Sequence, residues 1–181
     1  MTRYAALLRG ANVGGRNRIE MPRLKAALER QGLEHVATYI NSGNIVFESA
    51  LGASELEKLC ASLIEAEFGC RVGVGVLDSA DLEGAVEGAP DWWDGDPAWR
   101  HNALFVLPPA AIDEVYAQVE AAKTEEERIA CHGRVIFWST PQAGFKHERW
   151  AQIVAGKAAR GAVTIRNRGT VLKLAGLCKK I

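Results

Sequence analysis

The fold is decided by residues 36–48, which read Val36-Ala37-Thr38-Tyr39-Ile40-Asn41-Ser42-Gly43-Asn44-Ile45-Val46-Phe47-Glu48. Two runs rich in β-branched and aromatic residues flank a polar centre, Asn41 to Asn44, whose residues tolerate the positive φ angles of a tight turn. The stretch therefore predicts a β-hairpin. A strand at Tyr4–Leu8 and a helix precede the hairpin, and this order places it in the middle of a βαββαβ pattern.

The elements on either side of the hairpin follow from the spacing of apolar residues. A first helix is predicted over residues 22–32, with a proline in its first turn. The second helix has Ser54 and Glu57 as a capping box and ends at Gly69. Residues 71–77 alternate valine with glycine and predict a strand. The first half of the chain thus has the ferredoxin-like order of elements.

The second half repeats this plan less clearly. Its predicted elements are a strand at 101–107, a helix at 110–122, a hairpin at 129–131 and 135–138, a helix at 145–160, a strand at 163–166 and a helix at 172–179. We therefore expect an α+β protein of two ferredoxin-like halves with antiparallel sheets. The expected divisions are a first half at 1–80, a Trp- and Asp-rich connection at 81–100 and a second half at 101–181, with one compact unit as the alternative.

The composition is that of a globular protein. The chain has 181 residues, of which 48% are hydrophobic, and no segment approaches the roughly 18 uncharged residues that a membrane helix needs. We expect a cytoplasmic protein without signal peptide or membrane contact. The four cysteines are far apart and form no C-x-x-C pair, so we expect reduced, buried thiols and neither a metal nor a cofactor.

The charges are distributed unevenly although the net charge is zero. Residues 1–23 hold five bases against one acid, and residues 146–181 hold nine bases against one acid. The middle of the chain is correspondingly acidic. If the two ends meet in the fold, they create a field that attracts anions. The alternative is that these charges only solvate surface helices and pair with the acidic middle.

Three blocks of sequence stand out by their order and spacing. They are Leu7-Leu8-Arg9-Gly10-Ala11-Asn12-Val13-Gly14-Gly15, then residues 38–47 of the hairpin, and finally Thr164-Ile165-Arg166-Asn167 continuing to Thr170-Val171-Leu172-Lys173-Leu174. In these blocks the chain resembles the bacterial domain of unknown function 1697 family. The resemblance implies an α+β protein with ferredoxin-like halves and without an assigned biochemical activity.

The chain departs from that family pattern at two positions. Family members usually carry isoleucine where this chain has Ala11, and often an aromatic residue where it has Arg168. The first change removes an apolar contact. The second either adds a cation beside Arg166 or replaces a core aromatic by a surface residue.

The best site hypothesis is an anion-binding loop after the first strand. Glycines and arginines in a loop before a helix can present N–H groups and positive charge to phosphate or carboxylate, but the loop matches neither G-x-G-x-x-G nor the P-loop. The predicted ligand-binding residues are Arg9, Gly10, Asn12, Gly14, Gly15, Ser42, Asn44, Arg166, Asn167 and Lys173. The alternatives are structural: Asn12 caps backbone groups, Ser42 and Asn44 form a turn, and Asn167 caps the last helix.

Two other functions are weighed against small-anion binding. A basic stripe on the predicted helix at 145–160 would suit a nucleic-acid backbone, and its members are Lys146, Arg149, Lys157 and Arg160. The Trp- and Asp-rich segment at 91–99 would suit a protein partner or a lid, with packing as the alternative. No catalytic motif is recognisable, so the sequence decides neither whether the protein is an enzyme nor its oligomeric state.

Overall fold

The computed structural model describes residues 1–13, 17–143, 159 and 161–179, and within these ranges the chain forms eight strands and five helices. In chain order they are β1 (Thr2–Arg9), α1 (Met21–Arg30), β2 (Glu34–Tyr39), β3 (Asn44–Ser49), α2 (Ala53–Phe68), β4 (Gly73–Asp78), α3 (Ser79–Glu87), β5 (Trp99–Val106), α4 (Ile112–Ala122), β6 (Arg128–His132), β7 (Val135–Pro141), β8 (Val163–Asn167) and α5 (Arg168–Lys179).

The strands build two antiparallel sheets with the same topology. The orders are β2-β3-β1-β4 and β6-β7-β5-β8, so in each sheet the first strand of the set lies between the third and the fourth. This is the split βαβ arrangement of a ferredoxin-like fold. The predicted fold class is therefore confirmed. The helix predicted at 145–160 lies outside the described residues.

The chain divides into two compact units. The first comprises Met1–Glu83 together with the C-terminal segment from Lys173, and the second comprises Gly84–Leu172. Helix α5 therefore begins in the second unit and ends in the first. Among the described residues, no helix is both long enough and apolar enough to cross a membrane.

In the first unit, α1 and α2 cover one face of the sheet. Leu8, Ile45 and Phe47 from the strands meet helix residues in one buried cluster, whose other members include Leu24, Leu28, Leu56 and Ile64. Helix α1 has the predicted proline in its first turn, and α2 ends as predicted at Gly69, whose φ is +67°. The local hydrophobic spacing thus identified both helices correctly.

The predicted capping box of α2 is wrong by two residues. The N-cap is Gly52, and Glu55 Oε2 accepts the Gly52 N–H at 3.0 Å. Glu57, which was expected to play this part, instead accepts the N–H of Val76 in β4 at 3.2 Å. The Glu57 carboxylate therefore ties the helix to the sheet rather than to its own first turn.

Helix α3 was not predicted, because most of its residues fall in the stretch 81–100 that was assigned to a connection. Asp78 Oδ1 accepts the N–H of Asp81 at 2.7 Å, which caps the first turn. The helix buries only Leu82 and Ala85. Two buried positions in nine residues are too few to give a helical stripe in the sequence.

In the second unit, α4 packs on one sheet face around Leu104, Val115, Val119, Ile136 and Trp138. The opposite face is also apolar and includes Ala103, Phe105 and Phe137. Trp93 packs edge-on against Phe137 with ring centroids 5.0 Å apart. Its Nε1–H donates to the Asn102 carbonyl at 3.1 Å. The Trp- and Asp-rich segment is thereby fixed to the sheet of its own unit.

Replacing Gly69 by alanine is expected to lower the free energy of unfolding of the first unit by about 1 kcal/mol, because φ of +67° crowds a Cβ against its own backbone. The control is Gly176→Ala in α5, where φ is not positive and nothing lies within 4 Å of the new Cβ. That change is expected to stabilise by about 0.5–1 kcal/mol. Urea unfolding measures the stability of both variants, and equal stabilities would contradict the left-handed conformation of Gly69.

Candidate functional site

The loop after β1 and the turn between β2 and β3 form one surface in the first unit. We call it the loop–turn surface and define it by the described residues 9–13, 17–19 and 40–43. The Leu8 N–H donates to the Gly43 carbonyl at 2.8 Å, and Leu7 pairs with Asn44 in the β1–β3 ladder. Because the ladder is antiparallel, continuing its register places Arg9 opposite Ser42. The fold thus brings the first and second predicted blocks together.

Asn12 joins the two halves of this surface. Its Oδ1 accepts the Ile19 N–H at 2.8 Å, and its Nδ2 donates to the carbonyls of Ile19 at 2.9 Å and Asn41 at 2.8 Å. The backbone of Asn12 has a φ of +55°, which asparagine tolerates better than most residues. Asn17 adds a bond from its Nδ2 to the Gly10 carbonyl at 3.2 Å. Asn12 therefore holds the loop in shape and uses its amide on the backbone.

Gly43 allows the loop and the turn to approach each other. Its φ is +79°, and a Cβ at this position would lie 2.6 Å from Leu8 Cβ and 3.1 Å from Ala11 Cβ. Real side chains do not come this close. The small side chain of Ala11 is buried against the same point.

The polar side chains of the surface differ in exposure. Ser42 and Arg18 are exposed and Arg9 is half-buried, whereas Asn44 is completely buried. The Asn44 Nδ2 donates to the Tyr39 carbonyl and to Ser42 Oγ, both at 3.0 Å. Asn44 thus positions Ser42 from below the surface. The predicted residues Gly14 and Gly15 lie outside the described residues.

Two apolar side chains on this surface are exposed. Val13 is 64% exposed and Ile40 is 50% exposed. Ile40 also has a φ of +49°, a region that β-branched residues rarely occupy. Such a conformation costs about 1–3 kcal/mol and persists only where the surrounding contacts enforce it.

The remaining predicted residues lie along β8 and α5. Arg166 is buried on β8 of the second unit, where its Nη1 donates to Thr164 Oγ1 at 2.8 Å and to the Ile165 carbonyl at 2.6 Å. Burial lowers the pKa of Arg166 to about 10, which still leaves it charged at neutral pH. Asn167 Oδ1 caps α5 by accepting the Thr170 N–H at 2.8 Å. Lys173 is exposed on the part of α5 that belongs to the first unit.

Arg168 binds the Trp- and Asp-rich segment. Its Nε donates to the Trp93 carbonyl at 2.8 Å, and its guanidinium lies 5.6 Å from the centre of the Trp93 ring. A Cβ on Gly95 would come within 2.8 Å of Arg168 Nη1. The sequence suggested that Arg168 is either a cation beside Arg166 or a surface residue in place of a core aromatic. Neither role describes this contact, in which Arg168 holds the Trp93 segment of the second unit.

Sequence reasoning missed the partners of His101. Its Nδ1 lies 2.7 Å from Ser139 Oγ, and its Nε2 lies 3.3 Å from the Asp96 carbonyl and 3.8 Å from Asp94 Oδ1. These are the residue types of a Ser-His-Asp triad. Ser139 is completely buried, however, so its hydroxyl meets no substrate. The contact arises because His101 and Ser139 are opposite each other in the β5–β7 ladder, and it is structural.

The four cysteines are free, but they are not all buried as expected. Cys60 and Cys178 are buried, Cys70 is half-buried and Cys131 is exposed. Burial raises the pKa of Cys60 to about 12 and that of Cys178 to about 11, so both are unreactive thiols at neutral pH. Cys131 lies on β6, which is an edge strand of its sheet. Its exposure follows from that position.

The basic stripe that would suit nucleic acid lies outside the described residues. This applies to all of its members, Lys146, Arg149, Lys157 and Arg160. Its role stays a prediction from the sequence.

Comparison with known proteins agrees with the fold and gives no activity. The family described as protein of unknown function (DUF1697) matches residues 1–137. The solved structure of a conserved bacterial protein from Streptococcus pneumoniae is similar, with 32% sequence identity over 98% of this chain and 99% of that one, and a TM-score of 0.83. Among curated proteins none matches the chain.

Replacing Asn12 by aspartate is expected to destabilise the first unit by about 1–3 kcal/mol, because the Ile19 and Asn41 carbonyls lose their donor. The matched control is Asn17→Asp, which makes the same charge change at another positive φ and removes one exposed bond. We expect it to cost less than about 1 kcal/mol. Thermal or urea unfolding measures both, and an equal loss at the two positions would refute the joining role of Asn12.

Proposed function

The chain belongs to the family of proteins of unknown function (DUF1697), for which we propose a binding function in this chain. The proposed ligand is a small anion bearing phosphate or carboxylate, and the proposed site is the loop–turn surface. The observation that carries the proposal is the Asn12 amide, which fixes the loop bearing Arg9 to the turn bearing Ser42. A guanidinium and a hydroxyl carried by neighbouring segments would suit the oxygens of such an anion.

The charge of this region supports an anion rather than a cation. Among residues 1–23 there are five bases and one acid, and Arg9 and Arg18 flank the described part of the loop. Arg18 is exposed, so it can contact a ligand without first leaving the protein interior. An anion bound here would lie in a locally positive field.

The backbone conformation of the surface supports a binding role as well. Five residues of the two segments have positive φ, namely Gly10, Asn12, Asn17, Ile40 and Gly43. An ordinary connection does not need a strained isoleucine with half its surface in solvent. Strain of this kind concentrates at ligand sites, where it keeps the binding groups in place before the ligand arrives.

The other predicted residues have different parts in the proposal. Asn12 and Asn44 hold the surface together, whereas the part of Gly14 and Gly15, which lie outside the described residues, stays a prediction from the sequence. Arg166, Asn167 and Lys173 remain a further predicted group whose described contacts are structural or solvent-facing. The proposal therefore depends on Arg9 and Ser42 rather than on the whole predicted set.

The test is a titration of the full chain with inorganic phosphate, followed by thermal shift and calorimetry. We expect Arg9→Ala to weaken phosphate binding by about 10- to 100-fold, which corresponds to the loss of one hydrogen bond to a charged group. The control is Arg71→Ala, which removes an exposed arginine that pairs with Glu65 in the same unit. It is expected to bind phosphate as the unsubstituted chain does.

Two results would contradict this proposal. One is the absence of phosphate or carboxylate binding by the unsubstituted chain at millimolar concentration. The other is equal weakening by Arg9→Ala and Arg71→Ala, which would indicate nonspecific screening. Parallel titration with RNA and DNA at low salt separates the alternative, since nucleic-acid binding weakens steeply as salt rises.

A further inference from the structure

A second group of chemically active side chains lies at the other end of the first sheet. Glu34, His35 and Glu48 place one imidazole nitrogen and two carboxylate oxygens within 4.8 Å of one another. Glu34 and His35 belong to β2, which is an edge strand, and Glu48 belongs to the neighbouring β3. Within the described part of the chain, no other three His, Cys, Asp or Glu side chains come together in this way.

A β-bulge brings His35 into the group. Glu34 pairs with Glu48 and Ala37 pairs with Val46, so β2 has one residue more than β3 over this interval. Val36 points into the core on the helix side. His35 has a φ of +51°, and its side chain is 67% exposed. A bulge redirects side chains, and here it sets the imidazole beside two carboxylates that regular alternation would place on the opposite face.

Arg3 fixes the orientation of the buried member of the group. Its Nε and Nη2 both donate to Glu48 Oε1, at 3.2 and 2.5 Å, and its Nη1 donates to the Leu177 carbonyl at 3.2 Å. The other oxygen, Glu48 Oε2, lies 3.9 Å from His35 Nε2. Carboxylates that bind a metal are usually held by hydrogen bonds from supporting residues, and Arg3 holds Glu48 in this way while leaving Oε2 for the ion.

The electrostatics of the group favour a cation. Glu34 and Glu48 are directly opposite each other in the β2–β3 ladder, and two like charges in this position destabilise a sheet. Arg3 compensates Glu48 from one side. A divalent cation between the two carboxylates would remove the remaining repulsion.

We propose that Glu34, His35 and Glu48 bind a divalent transition-metal ion of the Zn²⁺ class. One imidazole and two carboxylates are a donor set that such ions accept, at about 2.0–2.2 Å from the metal. Two donors on one tetrahedral ion are then about 3.4 Å apart. The three donor atoms lie within 4.8 Å of one another, so the exposed side chains of Glu34 and His35 reach this spacing by rotating toward Glu48 by up to about 1.4 Å.

The site leaves a coordination position open. Three protein ligands on a tetrahedral ion leave the fourth position for water or an anion, as in catalytic rather than structural zinc sites. Glu48 also lines a cavity of about 400 Å³ whose wall includes Arg3, Ser79 and Lys179. An anionic ligand in this cavity would meet two positive side chains next to the metal.

The test is Zn²⁺ titration of the full chain, previously freed of metal with a chelator, by calorimetry and thermal shift. The unsubstituted chain is expected to bind one ion per chain and to gain thermal stability. His35→Asn and Glu34→Gln are expected to weaken binding by at least about 10-fold. Asparagine tolerates a positive φ, so His35→Asn without metal should unfold at the same temperature as the unsubstituted chain.

The control is Cys131→Ser, because Cys131 is the exposed thiol and neighbours His132. This variant is expected to bind Zn²⁺ normally. Titration with Co²⁺ should give d–d absorption without a thiolate charge-transfer band. Four results would each overturn the proposal. Two of them point to the thiol: loss of binding in Cys131→Ser, or a thiolate charge-transfer band with Co²⁺. The others are unchanged binding in both His35→Asn and Glu34→Gln, and no binding of either ion by the unsubstituted chain.

Discussion

The first unit depends on β1 being buried on both faces and paired along both edges. All five residues from Tyr4 to Leu8 are buried, and β1 lies between β3 and β4. A strand in this position must be apolar at consecutive residues rather than at alternate ones. Its pairing with β3 places Arg3 opposite Glu48 near one end, and at the other end the register stops at Leu7 and Asn44, next to the loop–turn surface.

The loop–turn surface shows how a strained connection is kept in place. A left-handed backbone conformation costs about 1–3 kcal/mol at a residue such as Ile40. The Asn12 amide offsets part of this cost, because it satisfies three backbone groups that the loop would otherwise leave without partners. The side chain that was predicted from the sequence as a ligand contact thus joins the loop at Ile19 to the turn at Asn41.

Local signals in the sequence predicted the hairpin, helices α1, α2 and α4, and the order of strands. They failed to predict the N-cap of α2 and the contacts that depend on strand register. The cap of α2 shifted by two residues because Gly52 and Glu55 have the same spacing as Ser54 and Glu57. The partners of His35 and His101 depend on strand register, and for His35 on a single bulged residue. Spacing along the chain cannot reveal either.

The two proposed sites of the first unit are physically independent. They occupy opposite ends of β1, and the six residue-to-residue steps of extended strand from Arg3 to Arg9 span about 20 Å. Substitutions farther apart than about 10 Å, without shared partners, have additive effects. A rigid central strand nevertheless connects the two ends. Coupling between metal and anion binding would therefore require β1 itself to shift, and its burial on both faces opposes any such movement.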